Sequence, residues 1–251
     1  MEKEYWAVLN AEEQQRANRF VKREHQTRFI AGRGMLRSLL GHYLNVAPDQ
    51  VEFDYLPQGK PILGQKHSFS SLQFNISHSH DLALYAISTN NQHVGIDLEL
   101  IRPLSQMLSL ARRFFTEQEF ADLVSFPSHQ QEKIFFQIWT AKEAYLKATG
   151  EGLKGLQNIE LSMTQNSQQF EVRKTKVTVS LYSFTPTDHY LATVATVEND
   201  ESQITPESNS GACYDRWLNP MQQSDRAPDT SSRYLCAETL ENQLIFRNWD
   251  E

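Results

Sequence analysis

Four side chains stand out for the chemistry their types and spacing allow. Asp97 and Glu99 lie two apart in an apolar run, and Glu143 and Lys147 lie four apart further on. Val94, Ile96, Leu98, Leu100 and Ile101 flank the first pair. That run reads as a strand, and period-2 alternation sends both carboxylates to one face. Two acids side by side on a strand face repel unless a cation sits between them. A solvated edge would tolerate the pair, but the apolar flanks argue for burial, and buried charges must be paired or coordinate a metal. A metal site is therefore expected here. Glu143 and Lys147, taken alone, could be a surface i,i+4 pair worth a few tenths of a kcal/mol. Added to the strand acids, Glu143 completes an oxygen-donor set of the kind Mg2+ prefers. Lys142 and Lys147 then flank it with positive charge. Acids for a hard cation and bases for phosphate point to phosphoryl chemistry.

These residues need elements to hold them. The stretch 135–149 has no Pro or Gly, is rich in helix formers, and meets a natural stop at Gly150. At about 100° per residue, Phe136, Trp139, Thr140, Glu143 and Lys147 share one face. Ile134, Ile138, Ala141 and Tyr145 share the other, which reads as core. Upstream, residues 1–10 read as a short strand and 11–46 as helix in up to two pieces. Segment 16–37 sets seven bases (Arg16, Arg19, Lys22, Arg23, Arg28, Arg33, Arg37) against the single acid Glu24, an electrostatic footprint for an anion. A strand at 51–55, a Pro/Gly turn at 57–61 and strand-like runs at 72–77, 82–88 and 94–100 follow, joined by short polar linkers. Helices are expected at 104–114, at 116–124 with Thr116 as N-cap and Glu119 three residues on, and at 131–149. Strands are expected at 159–163, 171–173, 176–184 and 190–197. The order suggests an α+β pseudo-duplicate with halves 1–102 and 103–198, each a helix packed on a small antiparallel sheet.

Composition narrows the class. With 39% hydrophobic and 22% charged residues the chain is that of an ordinary soluble protein. No apolar run approaches membrane-spanning length, and the start Met1-Glu2-Lys3-Glu4 lacks the features of a signal peptide. The cytoplasm is the expected compartment. A pI near 5.6 argues against a dedicated nucleic-acid binder. Residues 199–251 hold 10 acids and 4 bases, a net of −6 out of −7 for the whole chain. This acidic tail reads as partly disordered, with one apolar patch at Leu244, Ile245, Phe246 and Trp249 that could dock back or meet a partner. Cys213 and Cys236, both in the tail, have neither zinc-site nor disulfide-framework spacing.

Taken together, three motifs carry a resemblance. Gly59-Lys60-Pro61 precedes Phe74-Asn75-Ile76-Ser77-His78-Ser79; then come Gly95-Ile96-Asp97-Leu98-Glu99 and Trp139-Thr140-Ala141-Lys142-Glu143-Ala144-Tyr145-Leu146-Lys147. In order and spacing this resembles the Sfp-type 4'-phosphopantetheinyl transferases over roughly residues 1–198. The resemblance implies a monomeric, pseudo-twofold α+β fold with the active site between the halves. It implies transfer of the phosphopantetheine arm of coenzyme A to a serine of an apo acyl or peptidyl carrier protein, with release of adenosine 3',5'-bisphosphate. By position, Asp97, Glu99 and Glu143 would hold Mg2+, or Mn2+ in its place. Glu143 would also be the base, directly or through water, and Lys147 would neutralise the leaving phosphate. Lys142, Lys60, His78, Ser77, Arg16 and Arg28 would contact phosphates and nucleotide. One departure is Glu13, where many members carry a second base one turn before Arg16. Neither nucleic acid nor membrane is expected as a partner. A metal-dependent nuclease also groups acids with a lysine, but its lysine falls two past the second acid on the strand, where this chain has Ile101. A non-catalytic carrier-protein binder would need a broken acid set, and here all members are present.

Overall fold

In the first nine residues Tyr5, Val8 and Leu9 are spaced i, i+3, i+4, and that spacing decides the N-terminus. Where a strand is expected at 1–10, the chain forms helix α1 (Glu2–Val8). Tyr5, Trp6 and Val8 pack with Leu9, Ala17 and Ile30 in one apolar cluster. Short apolar runs are ambiguous between helix and strand, and packing decides them. The computed structural model of the chain describes residues 2–57, 59–163, 170–198, 233–240 and 243–248. The helical stretch expected from 11 to 46 falls into two pieces, α2 (Ala11–Asn18) and α3 (Arg23–Leu44). Asn10 caps α2 in a reciprocal box with Glu13, which satisfies two otherwise orphaned amides. Two short strands, β1 (Phe53–Tyr55) and β2 (Pro61–Leu63), pair with each other. The described residues within 1–54 and 61–72 make up one compact unit, and those within 55–60 and 73–251 make up the second.

The second unit holds the acids. Strands β3 (Gln73–Ser79) and β4 (Leu82–Ser88) pair antiparallel. Strand β5 (His93–Leu100) belongs to another sheet. Helices α4 (Met107–Phe114), α5 (Glu117–Ser125) and α6 (Ser128–Thr149) follow, then β6 (Glu160–Met163), β7 (Phe170–Lys174), β8 (Val179–Phe184) and β9 (Tyr190–Val197). Strands β5, β9 and β8 form an antiparallel sheet in that order, and β6 pairs with β7. Thr116 caps α5 with Glu119 returning the bond, as its sequence implies. Of the acidic tail, the described parts are strands β10 (Arg233–Leu240) and β11 (Gln243–Asn248). β10 adds parallel to β4, and β11 pairs antiparallel to β10, giving the order β11-β10-β4-β3. The architecture is α+β, with helices and small, mainly antiparallel sheets.

Helix α6 departs from the expected division into a core face and a chemical face. Residues 134–146 are all buried, as is Ala148. Ala141, Tyr145 and Leu146 join a cluster with Leu156, Ile159 and Leu161, while Ala144 and Ala148 pack with Ala195 and Val197. Trp139, assigned from sequence to the face of Glu143, is core: it stacks on Phe135 and meets Phe114 edge-on. A helix apolar nearly all round is a buried one. Its C-terminus closes as the sequence implies, on Gly150 in the left-handed region at φ 77°.

Candidate active site

The site begins with a close approach. At Gly95, β5 lies so near α6 that a Cβ would run into the Ala144 carbonyl oxygen and the Ala148 amide. Only glycine admits this contact, and it sets the spacing between the acids of the strand and those of the helix. Two lysines stitch the same seam. Lys60 Nζ donates to Lys147 O at 2.6 Å and Val94 O at 3.4 Å. Lys147 Nζ donates to Asp97 Oδ1 at 2.7 Å, Ser77 Oγ at 3.1 Å and Ile96 O at 3.1 Å. Behind the acids, Thr140 on α6 meets Thr193 on β9 at 2.9 Å, and Thr193 meets Ser183 on β8 at 2.6 Å. That buried hydroxyl chain fixes the helix to the sheet.

Asp97, Glu99 and Glu143 are all buried. Burial pushes each carboxyl up from its ordinary range. The Asp97 charge raises Glu99 and Glu143 further, and Glu143 adds to the rise at Glu99. Glu143 is pushed up to about 7, first by burial and then by Asp97. Lys147 pulls Asp97 back down without cancelling the rise. Asp97 Oδ2 is buried with no hydrogen-bond partner among the described residues. Such an atom ordinarily costs about 1–3 kcal/mol. Glu143 makes no hydrogen bond or ion pair with any described residue.

Those facts bear on whether a metal ion suits the site. Among the described residues, no group of three or more His, Cys, Asp or Glu converges as a ready-made metal cage. The donors are nonetheless all carboxylate oxygens, one of them orphaned, and the acids are near enough to raise one another. Three mutually repelling acids face the single Lys147 amine. An oxygen-only set with more acids than bases fits Mg2+, which keeps water and substrate phosphate among its ligands rather than filling a protein cage.

Comparison with known proteins bears on the same residues. The family model described as 4'-phosphopantetheinyl transferase superfamily matches residues 93–195, which span Asp97, Glu99, Glu143 and Lys147. The one described as 4'-phosphopantetheinyl transferase, N-terminal, matches residues 3–90. The 4'-phosphopantetheinyl transferase HetI of a Nostoc species is 50% identical over 75% of this chain and 78% of its own. The chain belongs to the 4'-phosphopantetheinyl transferase superfamily. Two further members also match. Psf-1 of Bacillus pumilus is 34% identical over 64% of this chain and 66% of its own length. Sfp of Bacillus subtilis is 28% identical over 65% and 70%.

The remaining site residues of this transferase divide. Ser77 sits with the acid cluster and Lys60 at the backbone of Val94 and Lys147, and both spend their polar atoms on protein groups. Burial, and then the Lys147 charge, pull the Lys60 amine down to about 8. His78 is exposed, one residue from Ser77 and on the alternate side of β3. Lys142 does not join the cluster. Its side chain is fully enclosed, and Nζ donates to both Glu119 oxygens, at 2.8 and 2.7 Å, and to Ile159 O at 2.8 Å. All three donors are thereby used, so in this arrangement the Lys142 amine has none left for a phosphate.

The basic helix also differs from its reading as a single footprint. Arg33 and Arg37 are buried against Glu13, with Arg37 Nε 2.7 Å and Arg33 Nε 3.4 Å from its carboxylate. Both guanidinium groups also lie over the Phe53 ring. Glu13, the departure from the family pattern, therefore pairs with two buried arginines and offsets part of their charge. Arg28 pairs with Glu24 at 2.8 Å, and Arg16 stacks on Phe29. Sequence reasoning missed Gly95, Glu119 and Ser79 as contributors. A glycine inside an apolar strand is a usable signal of close approach. Ile101 packs beside the Phe135 and Trp139 cluster, so the position that a nuclease would fill with lysine is structural here.

Proposed function

We propose that this transferase moves the 4'-phosphopantetheine arm of coenzyme A onto a serine hydroxyl of an apo acyl or peptidyl carrier protein. The observation that supports it is Glu143: a buried carboxyl, without hydrogen-bond partners, pushed up to about 7 beside two further acids. A base with that affinity for protons is suited to work near neutral pH. Glu143 takes the proton of the carrier serine as its oxygen bonds to the pantetheine-side phosphorus of the pyrophosphate. The bond from that phosphorus to the bridging oxygen breaks, and adenosine 3',5'-bisphosphate leaves with the electron pair. Lys147 lies 2.7 Å from Asp97 and sets positive charge where the leaving phosphate gains negative charge. Its three donors are engaged by protein groups, so it acts by its field or by exchanging the Ile96 carbonyl for a phosphate oxygen.

Asp97, Glu99 and Glu143 are the residues that would hold Mg2+ or Mn2+. When bound, such an ion offsets pyrophosphate charge and makes the bridging oxygen a better leaving atom. The same reading takes the protein as a cytoplasmic monomer that uses neither nucleic acid nor membrane. No described helix is long and apolar enough to cross a membrane.

The test is direct. The protein is mixed with coenzyme A, Mg2+ and a panel of apo acyl and peptidyl carrier proteins, and each carrier is weighed by mass spectrometry. Gain of one phosphopantetheine arm on the carrier serine is expected, and the ranking of carriers identifies the pathway served. No gain on any carrier with either Mg2+ or Mn2+ would overturn the reading.

A further inference from the structure

Strand β3 pairs through its backbone with β4, and β5 with β9, yet β3 and β5 are also joined to each other. The β5 amides of Ile96, Leu98 and Leu100 donate to β3 side chains instead of to backbone carbonyls. Ile96 N–H reaches Asn75 Oδ1 at 2.8 Å, Leu98 N–H reaches Ser77 Oγ at 3.1 Å, and Leu100 N–H reaches Ser79 Oγ at 3.1 Å. Both series step by two, so the contact is a ladder whose rungs are short polar side chains. That accounts for the alternation Asn75, Ser77, Ser79 on one face of β3, all three buried.

Hydroxyl bookkeeping carries the inference. A serine has one proton and two lone pairs. The Ser77 proton goes to Asp97 Oδ1 at 3.2 Å, and its lone pairs take Leu98 N–H and Lys147 Nζ–H. The Ser79 proton goes to Glu99 Oε2 at 3.3 Å, and a lone pair takes Leu100 N–H. Each rung beside an acid thus holds the strand amide and one carboxylate oxygen together. At Asp97 this ties down Oδ1 and leaves the orphaned Oδ2 as the oxygen with open lone pairs.

We propose that Ser77 and Ser79 are positioning residues, which lock one oxygen of Asp97 and of Glu99 against β3 so that a divalent cation meets a fixed carboxylate face. Neither serine then has a proton left for phosphate, so Ser77 acts through Asp97 and is not a phosphate ligand in this arrangement. The proposal rests on the reading of the three acids as the cation site. Partners that orient a ligand ordinarily contribute about 10–100-fold to metal affinity.

The experiment titrates the full-length, metal-free protein with Mn2+ in the presence of coenzyme A, following free Mn2+ by electron paramagnetic resonance. Melting temperature and transfer kinetics are recorded alongside. Ser79→Ala is expected to weaken Mn2+ binding about tenfold, and Ser79→Thr, which keeps the hydroxyl, to restore it. Ser77→Ala is expected to weaken Mn2+ binding and lower kcat while leaving KM for coenzyme A near wild type. If Ser79→Ala does not fold, Ser79→Cys, similar in shape with only a weak donor, replaces it with the same expectation. Wild-type Mn2+ affinity in the hydroxyl-free variants, with only a lower melting temperature, would overturn the positioning role alone. A rise in coenzyme A KM for Ser77→Ala at unchanged Mn2+ affinity would make Ser77 a phosphate ligand after all. Failure of the wild-type protein to bind Mn2+ would remove the cation reading itself, and the proposal with it.

Discussion

Helix α6 carries two buried ionic clusters, and neighbouring residues, Lys142 and Glu143, belong to different ones. Lys142 and Glu119 form a balanced pair, one charge of each sign. Glu119 also accepts the Leu161 amide at 2.9 Å and the Thr116 amide at 2.8 Å. Burial pulls the Lys142 amine down while Glu119 holds it up. The other cluster sets Asp97, Glu99 and Glu143 against Lys147, with acids raised and an oxygen left orphaned. Both clusters bear the cost of removing charge from water, but only one recovers it within the protein. Balance marks a structural pair. At the second cluster, excess negative charge together with an orphaned carboxylate oxygen marks a place where something from outside completes the electrostatics.

The most severe break is expected in the unbalanced cluster. Asp97→Asn keeps the shape and leaves oxygen for Lys147, but removes a charge that a cation and a pyrophosphate would use. Transfer should fall on the order of 10³-fold with the melting temperature unchanged or raised, because a desolvated repelling acid is gone. Near-normal turnover at saturating Mg2+ would remove Asp97 from the chemistry. The balanced pair should respond in the opposite currency. Lys142→Met strands Glu119 without a partner and should cost about 3–5 kcal/mol of stability, read from urea unfolding. The double variant Glu119→Gln with Lys142→Met, which removes both charges and keeps an acceptor for the Thr116 and Leu161 amides, should recover part of that loss, with coenzyme A KM near wild type. If Lys142→Met instead raises that KM at unchanged stability, Lys142 is a phosphate contact and the comparison fails.

Much of this was legible because it is local. Period-2 spacing puts Asp97 and Glu99 on one strand face, and both are buried beside α6. Thr116 and Glu119 show their cap at a spacing of three. What was not legible depends on partners distant along the chain. Glu119 reaches Lys142 across 23 positions, so adjacency to Glu143 made Lys142 look like part of the site. The polar alternation of Asn75, Ser77 and Ser79 is visible in sequence, but β5 as its partner lies about 21 positions on. Glu13 looked like a lost phosphate contact because nothing local shows Arg33 and Arg37 turning inward to meet it. The two-faced reading of α6 failed because Thr140, Lys142 and Glu143 are polar yet buried.

A smaller effect separates surface pairing from transition-state stabilisation at Lys147. As a bland i,i+4 partner of Glu143, its loss would cost under about 0.5 kcal/mol of stability and nothing in rate. The amine instead bonds Asp97, Ser77 and the Ile96 carbonyl, across to β5. Lys147→Ala should lower kcat on the order of 10²-fold with little change in coenzyme A KM. Wild-type kcat in that variant would return Lys147 to a purely structural role.

The last effect tests imbalance without any substrate. Glu143 has an ordinary value of 4.5 and stands at about 7 in the folded protein. A group raised on folding binds its proton more tightly in the native state than in the unfolded chain. Its contribution to stability is therefore fully present below about 4.5 and is lost as pH rises through about 7. Metal-free protein should accordingly lose stability across that window, by up to about 1.4 kcal/mol for each unit of difference, shared among the coupled acids. Glu143→Gln removes one titrating member and should flatten the curve. Mn2+ with coenzyme A should flatten it too, by favouring the ionised acids. Melting temperatures of wild type and Glu143→Gln, recorded with chelator from pH 4.5 to 7.5, would decide. Parallel curves would mean that Glu143 is not held protonated by its neighbours, and the contrast between the two clusters of α6 would lose its electrostatic basis.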